Sequence, residues 1–134
     1  MIGLSNKIVD YWLQSAEMDY RSMHNLFASG EYHWALFVGH LVIEKILKAI
    51  FVERKSAVTP RLHNLVTLAT KADIALERSQ KEHLDEITGF NIRARYSDYK
   101  HSFYKKCTKE FTQEQIQKIE ELRKWLINRL ETRS

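Results

Sequence analysis

The chain has 134 residues, of which 44% are hydrophobic and 28% charged, the proportions of a soluble globular protein of one domain with one core. Its net charge of +4 is mildly basic, which suits an anionic partner such as a nucleotide or nucleic acid without requiring one. A single cysteine excludes an internal disulfide framework, and no stretch is apolar and long enough for a membrane span or shaped like a signal peptide, so a cytoplasmic protein is expected.

One proline and four glycines leave few breakers, which favours long helices. The first is expected from about Asn6 to Ala28, with Ser5 as N-cap and Ile8, Trp12, Ala16, Tyr20, Met23 and Phe27 inward at steps of three and four. Ser29-Gly30 ends it, and the very short connection that follows predicts an antiparallel hairpin with the next helix.

That next helix, Glu31 to Arg54, is the element around which the chain is built. At about 100° per residue its apolar side chains cover most of the circumference, the pattern of a buried helix. Trp34, Val38, Leu41, Val42 and Ile46 lie on one broad arc, and Leu41 and Ile46 are predicted to be core residues. His40, Glu44 and Lys48, spaced i, i+4, i+8, interrupt the apolar surface with a polar stripe, read either as a structural ion pair at the core margin or as the border of a binding cleft.

Lys55 to Arg61 reads as a loop, and a short helix is predicted from about Leu62 to Ala75. Ser79-Gln80-Lys81-Glu82 has the form of a capping box and predicts a new helix with Leu84, Ile87 and Asn91 inward, locally weakened at Gly89. The stretch from Arg93 to Glu110 breaks the apolar period. Thr112 to Gln115 has the form of a second capping box, with Phe111 and Ile116 as its hydrophobic staple, before a last helix with Ile116, Ile119, Leu122, Leu126 and Leu130 inward. The predicted fold is therefore all-α, a compact up-and-down bundle of about five helices on one long hairpin, a single domain over residues 1–134.

No Gly-rich phosphate loop is present, and the six histidines lack metal-ligand spacing, so neither a cofactor nor a metal is expected. Lysines 105, 106 and 109 around Cys107 would lower the pKa of its thiol, although no base accompanies it. The basic segment stands apart. Arg93, Arg95, Lys100 and His101 alternate there with Tyr96, Tyr99, Phe103 and Tyr104, a composition that binds phosphate and stacks on bases, or else a polar loop whose tyrosines pack on the bundle end.

Several pieces together resemble the HEPN domain family (higher eukaryotes and prokaryotes nucleotide-binding). They are Trp12, Ala16, Asp19 and Tyr20 in the first helix; Gly30-Glu31-Tyr32 with Ala35 and Phe37; Glu44-Lys45 with Lys48-Ala49; His63 with Leu65 and Leu68; and Ala94-Arg95-Tyr96-Ser97-Asp98. The resemblance spans nearly the whole chain. It implies a helical bundle that homodimerises, binds RNA or a nucleotide, and pairs as the toxin-type component with a small nucleotidyltransferase. It further implies a metal-independent endoribonuclease with an R-x4–6-H motif, here Arg95 and His101 with five residues between them. Arg93, Tyr96, Asp98, Tyr99, Lys100 and Tyr104, with Glu44 and Lys48, are the expected nucleotide- or RNA-binding residues. The alternative is a non-catalytic module that binds a nucleotide or the nucleotidyltransferase.

Overall fold

The computed structural model describes residues 2–130, and side chains throughout except at residues 2–5 and 97. Among the described residues there are six helices and no strand: α1 (Ile2–Ala28), α2 (Tyr32–Arg54), α3 (Leu65–Lys71), α4 (Arg78–Arg93), α5 (Ser97–Lys106) and α6 (Lys109–Ile127). None of them is long and apolar enough to cross a membrane.

α1 and α2 form the expected hairpin. Gly30 sits at φ +83°, its N–H donates to the Phe27 carbonyl at 3.1 Å, and the Glu31 N–H donates to the Leu26 carbonyl at 2.9 Å. This left-handed closure satisfies two carbonyls at the α1 terminus, and glycine adopts it without a Cβ penalty. Asp19 of α1 pairs with Lys45 of α2 at 2.6 Å across the hairpin. α1 begins upstream of Ser5, so Ser5 is not its N-cap; the helix extends to Ile2 through residues that contain no breaker except Gly3.

α2 is the central element, buried on most of its circumference as its apolar distribution requires. The detail differs from the sequence reading at Leu41. Ile46 and, on the other arc, Leu36, Ile43 and Leu47 are fully buried, whereas Leu41 is half-buried. A helix apolar nearly all round gives no internal signal of which strip is covered least. Gly39 marks the closest approach of α6. A Cβ built there would lie 2.6 Å from Ile119 Cδ1 and 3.2 Å from Met23 Sδ.

The remaining helices close the core from the other side, and three helix starts move from their expected places. α3 starts at Leu65, not Leu62, because Asn64 Oδ1 accepts the Thr67 N–H at 3.0 Å as the true N-cap. α4 starts before Ser79: Gln80 Oε1 accepts the Glu77 N–H at 2.9 Å, one half of a capping box set two residues earlier than the S-x-x-E pattern. α6 starts before Thr112: Thr108 Oγ1 accepts the Phe111 N–H at 3.2 Å, and Thr112 lies buried within the helix. Phe111 is therefore no staple residue; its ring lies 5.3 Å from the Lys106 ammonium. The segment from Arg93 onward, which lacks an apolar period, nevertheless contains α5, anchored by Phe103 against Phe90 with ring centroids 5.6 Å apart. One buried aromatic and its contact hold a ten-residue helix that periodicity does not reveal.

Two residues beyond α3 lies Asp73, a non-glycine residue at φ +58°. Arg54, in the last turn of α2, donates through Nη1 to the Ala72 and Asp73 carbonyls at 3.2 and 3.0 Å, and through Nη2 to the Arg129 carbonyl at 3.3 Å. One guanidinium thus caps α3 and ties down the chain beyond α6.

Candidate functional site

The His40–Glu44–Lys48 stripe does not face solvent. His40 is fully buried, Glu44 is 4% exposed and Lys48 is 9% exposed. Burial of charge at this level requires partners. Lys48 Nζ donates to Glu44 Oε2 at 3.1 Å and stands 5.2 Å from the centre of the Trp12 ring. The second carboxylate oxygen, Oε1, accepts from His63 Nδ1 at 2.7 Å. His40 Nε2 donates to the His63 carbonyl at 2.9 Å and lies 3.7 Å from Glu44 Oε1.

Those bonds fix the proton positions. A carbonyl only accepts, so His40 carries its proton on Nε2, and its buried Nδ1 has no hydrogen-bond partner among the described residues. Burial, more than the opposing pull of the His63 carbonyl and Glu44, holds the His40 pKa below its ordinary value. The nearby Arg95 charge pushes it the same way. His63 donates through Nδ1 to the carboxylate, which leaves Nε2 as the basic nitrogen of a side chain that is 63% exposed. His63 is thus gripped at its backbone by α2 and at its ring by Glu44, with the far edge of the ring open.

Arg95 lies just beyond the end of α4. Its Nε donates back to the Asn91 carbonyl at 3.0 Å, and its guanidinium stands 5.5 Å from the ring centres of both Phe37 and Tyr96. The side chain therefore folds back along α4 and towards α2, the side on which His40 feels its charge. Lys100 Nζ lies 5.3 Å from the Trp34 ring centre, and the Tyr104 ring meets His33 edge-on at 5.1 Å. These residues, one turn apart on α5, present a cation and a phenol along the N-terminal half of α2.

The basic segment is thereby divided over several faces. Arg95, Tyr96, Lys100 and Tyr104 line the edge against α2. Arg93 and Tyr99 turn to another side, where with Ser102, Phe103 and Lys106 they line a shallow depression of about 260 Å³. Asp98 and His101 are exposed on α5, one turn apart; Asp98 in the first turn favours the helix dipole. Among the described residues no hydrogen bond or ring contact joins Arg95 to His101. Glu44 and Lys48 belong to the buried network rather than to an open binding surface.

Cys107 is buried, and burial pushes its thiol up to about 11 against a smaller lowering by Lys106, the reverse of the lowering expected from Lys105, Lys106 and Lys109. A groove of about 310 Å³ between α1 and α6, lined by Leu13, Ala16, Ile46 and Ile127 with Glu17 and Arg123 at its rim, holds no cluster of catalytic groups. No group of three or more possible metal ligands occurs among the described residues.

In the sequence His40 was legible within the polar stripe and His63 only through the family resemblance, while their meeting at Glu44 was not legible. The i, i+4 stripe was visible, but the loop that lays His63 on Glu44 has no periodicity to read.

The family model described as HEPN domain matches residues 9–130. Neither the curated proteins nor the solved structures yield a match.

Proposed function

Because the chain belongs to the HEPN domain family, an all-helical family of nucleotide- and RNA-related modules, we propose that it acts on RNA. In this reading it is a cytoplasmic, metal-independent endoribonuclease, the toxin-type member of a pair with a small nucleotidyltransferase, working as a homodimer. The observation that carries the reading is Arg95. Its Nε is tied to the Asn91 carbonyl and its guanidinium stands 5.5 Å from the ring centres of both Phe37 and Tyr96, with Lys100 nearby on the same edge. A planar cation immobilised in this way offers a phosphodiester two donors at reduced entropic cost, and the flanking aromatic faces accept bases. His101 supplies a group that can exchange protons with solvent and substrate. Tyr104, 61% exposed, is the phenol available to a partner enzyme for nucleotide transfer, which would place phosphate beside Lys100 and mask the edge.

The test is cleavage of a mixed-sequence RNA by purified protein in EDTA. Arg95→Ala is expected to weaken both binding and rate, Arg95→Lys not to restore them fully, and His101→Ala to lower the rate with the fold intact. Equal cleavage by all variants would assign the activity to another residue or a contaminant. The second reading, a non-catalytic binding module, is favoured by the separation of Arg95 and His101 onto different faces. RNA or nucleotide binding that depends on Arg95, without cleavage by the wild type, would establish it.

A further inference from the structure

Metal-free cleavage of RNA moves two protons: one leaves the 2′-hydroxyl and one reaches the departing 5′-oxygen. One imidazole in one protonation state cannot perform both at once, and Arg95, which stays protonated, can perform neither. A phosphodiester held at Arg95 therefore needs a base close to that guanidinium, and Arg95 folds back along α4 to Phe37 of α2.

We propose that His63, oriented by Glu44, is the general base for a phosphodiester held at Arg95; the assignment rests on the RNA-cleaving reading above. Three observations support it. The Glu44 carboxylate fixes Nδ1 as the protonated nitrogen at 2.7 Å, so Nε2 is the acceptor and lies on the open edge of the ring. This arrangement of a buried carboxylate behind an imidazole sets tautomer and direction in general-base sites. The buried His40 bond to the His63 carbonyl pins the backbone independently, so the ring is held without relying on the loop. Arg95 shares the neighbourhood: its guanidinium packs on Phe37, one turn before His40 on α2, and its charge reaches His40. The Leu65 N–H donates to Thr88 Oγ1 at 3.1 Å, which seats the segment after His63 on α4 about 10 Å along the helix from Arg95, and the Arg95 side chain folds back part of that distance, to the Asn91 carbonyl.

In the proposed step His63 Nε2 takes the 2′-hydroxyl proton. The 2′-oxygen forms a bond to phosphorus, and the bond from phosphorus to the 5′-oxygen breaks. That oxygen leaves with a proton taken from water, which becomes hydroxide. The products are a 2′,3′-cyclic phosphate and a 5′-hydroxyl, and His63 returns to its starting state by giving its proton to the hydroxide. Glu44 is a positioning residue that balances the charge on His63 while the proton is held there.

The experiment uses the full chain with a fluorescent RNA oligonucleotide in EDTA, and the same oligonucleotide with 2′-O-methyl sugars to measure binding without cleavage. His63→Ala keeps the backbone carbonyl that His40 bonds, and its fold is checked by circular dichroism. It is expected to bind the methylated RNA as the wild type does and to cleave about 10²–10⁴-fold more slowly. Added imidazole is expected to restore part of its rate, and the decline of rate at acidic pH, which reports protonation of the base, to disappear. Glu44→Gln, which conserves shape and removes charge, is expected to lower kcat with KM unchanged. Wild-type cleavage by His63→Ala would overturn the assignment and leave cleavage by Arg95 and His101 standing. Binding without cleavage by the wild type would overturn it in favour of the non-catalytic module. Neither binding nor cleavage by the wild type would end both readings.

Discussion

Removing the Glu44 carboxylate is the perturbation to which the fold should respond most sharply. In Glu44→Ala the Lys48 ammonium, 9% exposed, loses the oxygen 3.1 Å away and keeps the Trp12 face at 5.2 Å. A cation over an aromatic ring contributes about 0.5–2 kcal/mol, whereas breaking a buried ion pair from one side costs about 3–5 kcal/mol because the remaining charge stays desolvated. The His63 bond is lost as well, but its exposed ring rehydrates, so that contribution is about 1 kcal/mol. The expected loss is about 3–5 kcal/mol, a large part of the ~5–15 kcal/mol that holds an ordinary domain folded. Lys48→Met in the same chain removes the stranded charge and leaves a side chain of similar length against Trp12. The double variant should therefore be more stable than Glu44→Ala alone. Urea titration followed by tryptophan fluorescence and circular dichroism measures both, provided the slope is unchanged. A Glu44→Ala loss under about 1 kcal/mol, or strictly additive losses in the double variant, would refute the picture of a coupled buried pair.

Three further outcomes follow from the same packing. His40 is held neutral, its folded pKa below the ordinary 6.5 chiefly through burial, so below about pH 6.5 the unfolded chain binds a proton that the folded one refuses. This contribution is flat above that pH and erodes stability as pH falls; the gap in melting temperature between wild type and His40→Gln should narrow from pH 7.5 to 5.5, and a constant gap would contradict it. Gly39→Ala should destabilise by about 1–3 kcal/mol, less the ~1 kcal/mol that alanine gains in helix propensity, because the added methyl meets Ile119 Cδ1. Ile119→Val, which shortens that contact, should cost less in the Gly39→Ala background than in the wild type, as read from denaturant midpoints. Cys107, with its pKa raised to about 11 by burial, should react with a thiol-directed disulfide reagent at pH 8 far more slowly than a free cysteine, and at a normal rate once urea unfolds the chain.

The sequence was most legible where apolar period and backbone geometry agree. The α1–α2 hairpin follows from an amphipathic first helix, a second that is apolar nearly all round, and Gly30, and the inward line from Ile116 to Leu126 of α6, with Leu130 beyond its end, is buried as read. It was least legible where one tertiary contact decides. Helix starts at Asn64, Glu77 and Thr108 were displaced by neighbouring residues of equal capping chemistry, and α5 depends on Phe103 meeting Phe90. Trp34 and Trp125 are half-buried, Trp34 5.3 Å from the Lys100 ammonium and Trp125 4.5 Å from the Arg129 guanidinium, contacts that no apolar period reveals. At the candidate site, composition identified Arg95 as the notable cation. The direction in which it turns, and the pairing of His63 with Glu44 across 19 positions, are properties of the folded chain alone.

The bare strip at Gly39 gives biosynthesis a particular order. The α1–α2 hairpin consists of contacts local in sequence and can close as soon as Arg54 leaves the ribosome. Its cover is Ile119 on α6, and Arg54 must wait for the carbonyl of Arg129. At ~5–20 residues per second, the 55 positions from Arg54 to Lys109 (109 − 54) take roughly 3–11 s to synthesise. During that interval the nascent hairpin displays an apolar groove with no α6 to fill it. A chaperone that binds extended apolar surface has its opportunity there, and loses it when α6 docks.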